Sequence, residues 1–258
     1  MVLPIGDDNS DRTSFPVINV ILIAINLIVF VVFQGMGQNS DFTLAFSTVP
    51  AEIVSGKDIV TENRVVEMST AAGPRQVIVP GLKETPIPVY LTLLTSMFMH
   101  GGIAHILGNM WFLWIFGDNI EQSLGRGRYL LFYLLCGILA SLAHVVLNRS
   151  GDPAMIPSLG ASGAISGVMG AYLVLHPQRR VTVLLVRIVT QVPAFVAVGI
   201  WFLFQLISGL GMMGGAESGV AYGAHIGGFV AGAVLAKPFM IRRGSDVDKS
   251  WRESRHPW

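Results

Sequence analysis

Apolar residues run along this chain in long blocks separated by clusters of charge. No Asp, Glu, Lys or Arg falls between Arg12 and Asp41, Glu84 and Asp118, Arg128 and Arg149, Asp152 and Arg179, Arg187 and Glu217, or Glu217 and Lys237. Each window is about as long as a bilayer is thick, which predicts six membrane spans, at 17–35, 99–118, 129–148, 162–176, 192–210 and 221–240. Backbone in lipid must satisfy its own hydrogen bonds, and uninterrupted runs of this length favour helices over barrel strands. The expected fold is an all-α polytopic membrane protein. It would have an N-terminal cytoplasmic segment at 1–16, a membrane domain at 17–241 and a polar cytoplasmic tail at 242–258.

Positive charge predicts the orientation. Arg126 and Arg128 lie between spans 2 and 3, Arg179, Arg180 and Arg187 between spans 4 and 5, and Lys237, Arg242, Arg243, Lys249, Arg252 and Arg255 in the tail. The connections on the opposite side hold Arg149 alone, so both termini are placed in the cytoplasm. The long connection at about 36–90 then lies outside. Within it, Arg64-Val-Val-Glu-Met and Arg75-Gln-Val-Ile-Val alternate around a Gly73-Pro74 turn signal and predict a small hairpin.

Composition sharpens this picture. Hydrophobic residues make up 52% of the 258 residues and charged residues 13%, with a mean hydropathy of +0.60. A soluble domain carries roughly 25% charged residues. A net charge of +1 gives no electrostatic reason to expect a nucleic-acid partner. Cys136 is the one cysteine, which excludes an internal disulfide and a multi-cysteine metal site. Asp7, Asp8 and Asp11 outweigh Arg12 ahead of the first apolar run, so that run is expected to be a retained span rather than a cleaved signal.

Polar side chains at membrane depth are costly unless they face a partner or a water-filled cavity. Three groups stand out. His105 and Asn109 are four residues apart, which stacks them on one helix face, and both can donate hydrogen bonds to an oxyanion. A Pro- and Gly-rich turn, Pro157 to Gly160, delivers Ser162 to the start of a short apolar run, beside unpaired backbone N–H groups; a serine at that position also fits a simple N-cap. The run at 162–176 is shorter than the hydrocarbon core, which places Ser162 in a depression below the outer surface. In the last span His225, Gly228 and Gly232 share a face, and small residues there let another helix approach. If that helix is the one opened by Ser162, the imidazole meets the hydroxyl, the minimum for activating a poor nucleophile. No carboxylate lies deep in any span, so the chemistry would use a Ser-His pair with the histidine oriented by packing and ordinary hydrogen bonds.

These groups, in this order, resemble the rhomboid family of intramembrane serine proteases. The matching residues are His100, His105 and Asn109, then Gly160-Ala161-Ser162-Gly163, then Ala224-His225-Ile226-Gly227-Gly228, with Glu121 in a similar turn after span 2. The resemblance covers about residues 88–240. It implies a six-transmembrane-helix rhomboid-like bundle of the basic bacterial form, in a bacterial cell membrane. It implies Ser162 as nucleophile and His225 as general base, with His105, Asn109 and the backbone N–H of Ser162 stabilising the oxyanion. His100, near the mouth of the site, and Gly160, Gly163 and Gly228 would be supporting positions. The substrate would be a membrane-anchored protein cut in or near its transmembrane segment after a small residue, with no metal or organic cofactor. Two positions depart from the pattern: Leu91-Thr92 stand where many members carry Trp-Arg, and Ser166 stands where many carry an aromatic residue that packs on the histidine.

Other classes fit less well. A catalytically silent rhomboid-like scaffold or quality-control protein predicts loss of the serine or histidine, and both are present. A transporter predicts paired repeats or intramembrane carboxylates, and a metalloprotease predicts a His-Glu-x-x-His helix; neither pattern occurs. His144 and His176 are read as boundary or packing residues, and the oligomeric state is left open.

Overall fold

A computed structural model describes residues 2–70, 73–209 and 221–240, and the fold is mostly helical. Strand β1 (Val2–Asp7) leads to helix α1 (Val17–Ile28), which starts after Pro16, whose ring presets φ, and continues through a wider π turn at Val29–Phe33. No side chain at the N-cap position serves α1. The carboxylate of Glu121 instead accepts the N–H groups of Ile18 and Asn19 at 3.1 and 2.8 Å. The long connection then folds into α2 (Ser40–Ala45), α3 (Pro50–Ser55), the antiparallel pair β2 (Arg64–Thr70) and β3 (Gly73–Val79), and α4 (Thr92–Thr95). After a 79° bend comes α5 (Ile103–Leu124), and Gly125 alone links it to α6 (Arg126–Leu147). The remainder is α7 (Ser162–Leu175), β4 (Arg180–Leu185), β5 (Ile188–Pro193), α8 (Ala194–Gly209) and α9 (Tyr222–Phe239).

Helix α7 is the axis of the molecule, packed by α5, α6 and α9, and every residue from Gly163 to Tyr172 is buried. Small residues set its closest contact. A Cβ at Gly228 would overlap the Gly163 carbonyl, one at Gly232 the Gly167 carbonyl, and one at Gly170 the Phe229 carbonyl, so α7 and α9 meet backbone to backbone. The outer faces of α1, α8 and α9 are the reverse of a soluble protein's, exposing Ile28, Val32, Leu203, Phe204 and Val234. Among the described residues one helix, Arg126–Leu147, is by length and composition able to cross a membrane, or two if the bent pair Val89–Phe98 and Ile103–Leu124 acts as one span. Val17–Phe33, Ser162–Leu175 and Ala194–Ser208 are shorter apolar helices.

The all-α expectation needs correction, because the described residues include five strands. β1, β4 and β5 form an antiparallel sheet pairing Val2 with Leu185, Asp7 with Val181, and Arg180 with Pro193. Val181 and Val183 are buried in the hydrophobic core of the molecule. The β4–β5 pair coincides with a run of β-branched residues around Val186-Arg187, a strand signal that the charge pattern of this connection does not carry. β1 carries Pro4 and Gly6, poor strand residues tolerated because β1 is an edge strand with an irregularity at that point. Within the N-terminal segment Val2–Asp7 thus form a strand, and Arg12 and Thr13 beyond it bond Asp118 and Gln122 at 2.9 and 2.8 Å. The hairpin expected around residues 73–74 has its strands at Arg64–Thr70 and Gly73–Val79. The tail expected at 242–258 lies outside the described residues.

Candidate active site

Ser162 is the first residue of α7, and Ala161 occupies the N-cap position without a side-chain cap. The hydroxyl of Ser162 therefore does not cap its own helix. It lies 2.8 Å from Nε2 of His225, one turn into α9, and the α7–α9 backbone contact is what brings the two together. The turn before Ser162 is held at both ends. Gly160 donates its N–H to the Ser96 carbonyl at 2.8 Å, and Ser158 exchanges backbone hydrogen bonds with Thr48 at 2.8 and 3.0 Å. Thr48 also donates to the carbonyl of Thr92 at 2.8 Å and reaches the Ser96 hydroxyl at 2.9 Å, so Thr92 is anchored through buried hydroxyls.

Gly160 has φ +119°, a conformation L side chains rarely adopt, and a Cβ there would lie 2.8 Å from Nε2 of His105. That space is taken by His105 and Asn109, stacked on α5 above the turn. Nδ1 of His105 accepts the Gly101 N–H at 3.3 Å, which leaves Nε2 to carry the ring hydrogen as a donor. Nδ2 of Asn109 is buried and finds no acceptor among the described residues. Two donors, one of them unspent, converge near a serine whose own N–H has no partner within its helix. That arrangement can stabilise a negative oxygen.

These groups line one cavity of about 790 Å³, together with His144, Asn148, Phe112, Met169, Trp201 and Gln205. His100 departs from its expected place. It is fully buried rather than at the mouth, with its ring edge-on to His105 at 5.2 Å and to Phe30 at 6.5 Å. Its backbone is clamped by Gln34, which accepts the His100 N–H at 3.0 Å and donates to its carbonyl at 2.8 Å. His144 lies on the cavity wall, hydrogen-bonded to Asn148 at 3.3 Å, whereas His176 sits at the foot of α7 against Ser123 at 2.8 Å.

Ser166 donates its hydroxyl hydrogen to the carbonyl of Ser162 at 2.6 Å rather than to the histidine. Helix α8 holds His225 instead: the Trp201 ring lies 6.2 Å away at 36°, and Oε1 of Gln205 is 2.8 Å from Nδ1. Gln205 interrupts its apolar run, but a neutral amide leaves the charge map unchanged and no spacing in the sequence ties it to the other groups.

A family model for the rhomboid domain matches residues 88–242. Rhomboid protease GluP of Bacillus subtilis (strain 168) is 37% identical over 148 residues, 57% of this chain and 26% of that protein. RHOMBOID-like protein 1 of Arabidopsis thaliana is 33% identical over 151 residues, 58% of this chain and 34% of its own. Presenilin-associated rhomboid-like protein A, mitochondrial, of Danio rerio is 31% identical over 100 residues, 39% of this chain and 26% of its own. The chain thus spans about a quarter to a third of the length of these relatives. The family is integral to membranes, includes serine proteases and acts on membrane protein substrates within the bilayer. The model match covers more than half of the chain, and on that basis the chain belongs to the rhomboid family.

Proposed function

We propose that this chain is an intramembrane serine endopeptidase that cuts membrane-anchored proteins in or near their transmembrane segments. The observation that carries this reading is the 2.8 Å approach of Ser162 Oγ to His225 Nε2, in a cavity that also holds the donors of His105 and Asn109. Ser162 Oγ attacks the scissile carbonyl carbon while His225 Nε2 takes its proton. The oxyanion is met by Nε2–H of His105, Nδ2 of Asn109 and the Ser162 N–H. The C–N bond breaks as Nε2 returns the proton to the leaving amine. Water, deprotonated by the same nitrogen, then hydrolyses the acyl-enzyme and frees Oγ. The step needs no metal.

In this reading α1 with its π turn, α5, α6, α7, α8 and α9 are six spans of a multi-pass protein in a bacterial cell membrane. The β1–β4–β5 sheet, with Arg179, Arg180 and Arg187 on or beside it, lies on the cytoplasmic side with both termini. The domain division is a membrane domain at 17–241 between short polar ends. The substrate segment enters the cavity locally unwound, so helix-weakening residues in it promote cleavage after a small side chain.

The test is cleavage of a tagged single-span substrate in liposomes by the wild-type protein and by Ser162→Ala. Product from the wild type alone supports the reading. Equal cleavage by Ser162→Ala overturns it, and no product from either, with both folded, shifts weight to a binding role.

A further inference from the structure

An imidazole has two ring nitrogens, and only one placement of its hydrogen serves Ser162. To take the proton from Oγ, Nε2 must present its lone pair, so the neutral ring must carry hydrogen on Nδ1. The other tautomer would point Nε2–H at the hydroxyl and could accept nothing. The partner of Nδ1 decides between them, and that partner is the side-chain oxygen of Gln205 at 2.8 Å. An amide oxygen only accepts, so the contact requires Nδ1–H.

We propose that Gln205 is the positioning residue of the site, holding His225 in the Nδ1–H tautomer and at one ring rotation. It makes a Ser162–His225–Gln205 relay whose third member is neutral. The proposal rests on the reading of Ser162 and His225 as nucleophile and base. Three observations besides the hydrogen bond support it. Gln205 is buried, which limits competition from solvent for its amide. It stands one helical turn after Trp201, so one face of α8 presents both the ring that flanks His225 and the amide that orients it. That face is pinned to α9 by Phe202, whose ring stacks on Phe229 at 4.1 Å and 17°.

Neutrality also suits the surroundings. The window from Arg187 to Glu217 holds no charge, and an ionised carboxylate inside it would be costly without a cation. The amide oxygen supplies direction with no net charge. During the proton transfer Nδ1 keeps its hydrogen and Gln205 exchanges none, so its part is orientation and dipolar stabilisation of the imidazolium.

Two quantities test this in liposomes: the rate of Ser162 labelling by a fluorophosphonate probe, which needs no substrate recognition, and the kcat and KM for the tagged single-span substrate. Gln205→Met fills the space without an acceptor. It is expected to slow labelling and kcat by at least about tenfold while KM changes by less than about twofold. Gln205→Glu keeps an acceptor at the same reach and is expected to retain labelling within about tenfold of wild type. Should Gln205→Met not fold, Gln205→Asn, one methylene too short to reach Nδ1, takes its place with the same expectation. Wild-type labelling in the Met or Asn variant overturns the relay and leaves the Ser162–His225 reading standing. Equal slowing in the Met and Glu variants makes Gln205 a packing residue and also overturns it. Absence of Ser162 labelling in the wild-type protein removes the reading beneath it.

Discussion

At the scale of single residues, the site depends on one glycine as much as on its polar groups. Gly160 combines a φ of +119° with a place where a Cβ would press on the His105 ring. Gly160→Ala is therefore expected to push His105 out of line and lower fluorophosphonate labelling of Ser162 by more than about tenfold. Labelling at the wild-type rate would show that the ring has room to yield. In the proposed mechanism His105→Ala and Asn109→Ala each remove one oxyanion donor and should reduce kcat by about 10²-fold or more, with probe access preserved. The polar residues of the site were legible because Ser162, His225, His105 and Asn109 break otherwise apolar runs. Gln205 and His144 also break them, but no spacing linked either to the other groups. Only the packing of α8 and α6 against α9 brings them to the cavity. His100 shows the opposite limit: the family resemblance placed it near the mouth of the site, whereas its ring is fully buried against His105 and Phe30.

At the scale of elements, apolar blocks located helices well and their ends poorly. The block expected at 99–118 yields a helix at Ile103–Leu124, because Gly101-Gly102 delays its start and Glu121 sits within its last turn. That offset matters, since it places Glu121 under α1, where its carboxylate accepts two N–H groups. Glu121→Ala should lower stability by about 1–3 kcal/mol, read as a fall in thermal midpoint in detergent, with labelling of Ser162 retained at low temperature. A midpoint equal to wild type would show that α1 is held by its apolar face alone. The α7–α9 contact predicts a harsher result. Gly228→Val puts a branched side chain where the Gly163 carbonyl sits and should separate the two helices, giving a loss of about 1–3 kcal/mol or more and of labelling together. Small residues at these positions were visible in the sequence; which helix they faced was not.

At the scale of the whole molecule, the N-terminal strand ties the foot of the bundle together. Asp7 Oδ2 accepts from Tyr172 of α7 and from Asn119 of α5, both at 2.6 Å, while Arg179 pairs with Asp11 at 2.6 Å. Burial pushes the Asp7 carboxyl up to about 7, with the neighbouring Asp118 raising it further and the hydrogen bonds and Arg179 opposing. An unfolded Asp7 releases its proton near 3.8, so between about pH 4 and pH 7 the folded chain holds more protons than the unfolded one. Stability from this group is then full below that window, falls as pH rises through it, and levels off above. Glu52, buried in α3 and also raised to about 7 by burial, adds in the same sense. Asp7→Asn should flatten the part due to Asp7, so its thermal midpoint should change less than that of wild type between pH 5 and pH 8. An unchanged difference would show that Asp7 ionises freely in the folded protein. Nothing in the sequence signalled this arrangement, because the pairing of Val2–Asp7 with Arg180–Leu185 spans most of the chain.

Helix α7 is consequently fastened at both ends of its axis, with Ser162 at the first residue and Tyr172 held to Asp7 near the last. It acts as a measuring rod. The height of the hydroxyl along the helix axis, and the compass bearing on which it faces His225, are both set by a count of residues. One residue inserted between the two fastenings would raise Ser162 by about 1.5 Å and swing it by about 100°. Four would nearly restore the bearing, yet carry the hydroxyl about 6 Å away from its partner. Any other length of α7 would require the whole foot of the molecule to be rebuilt.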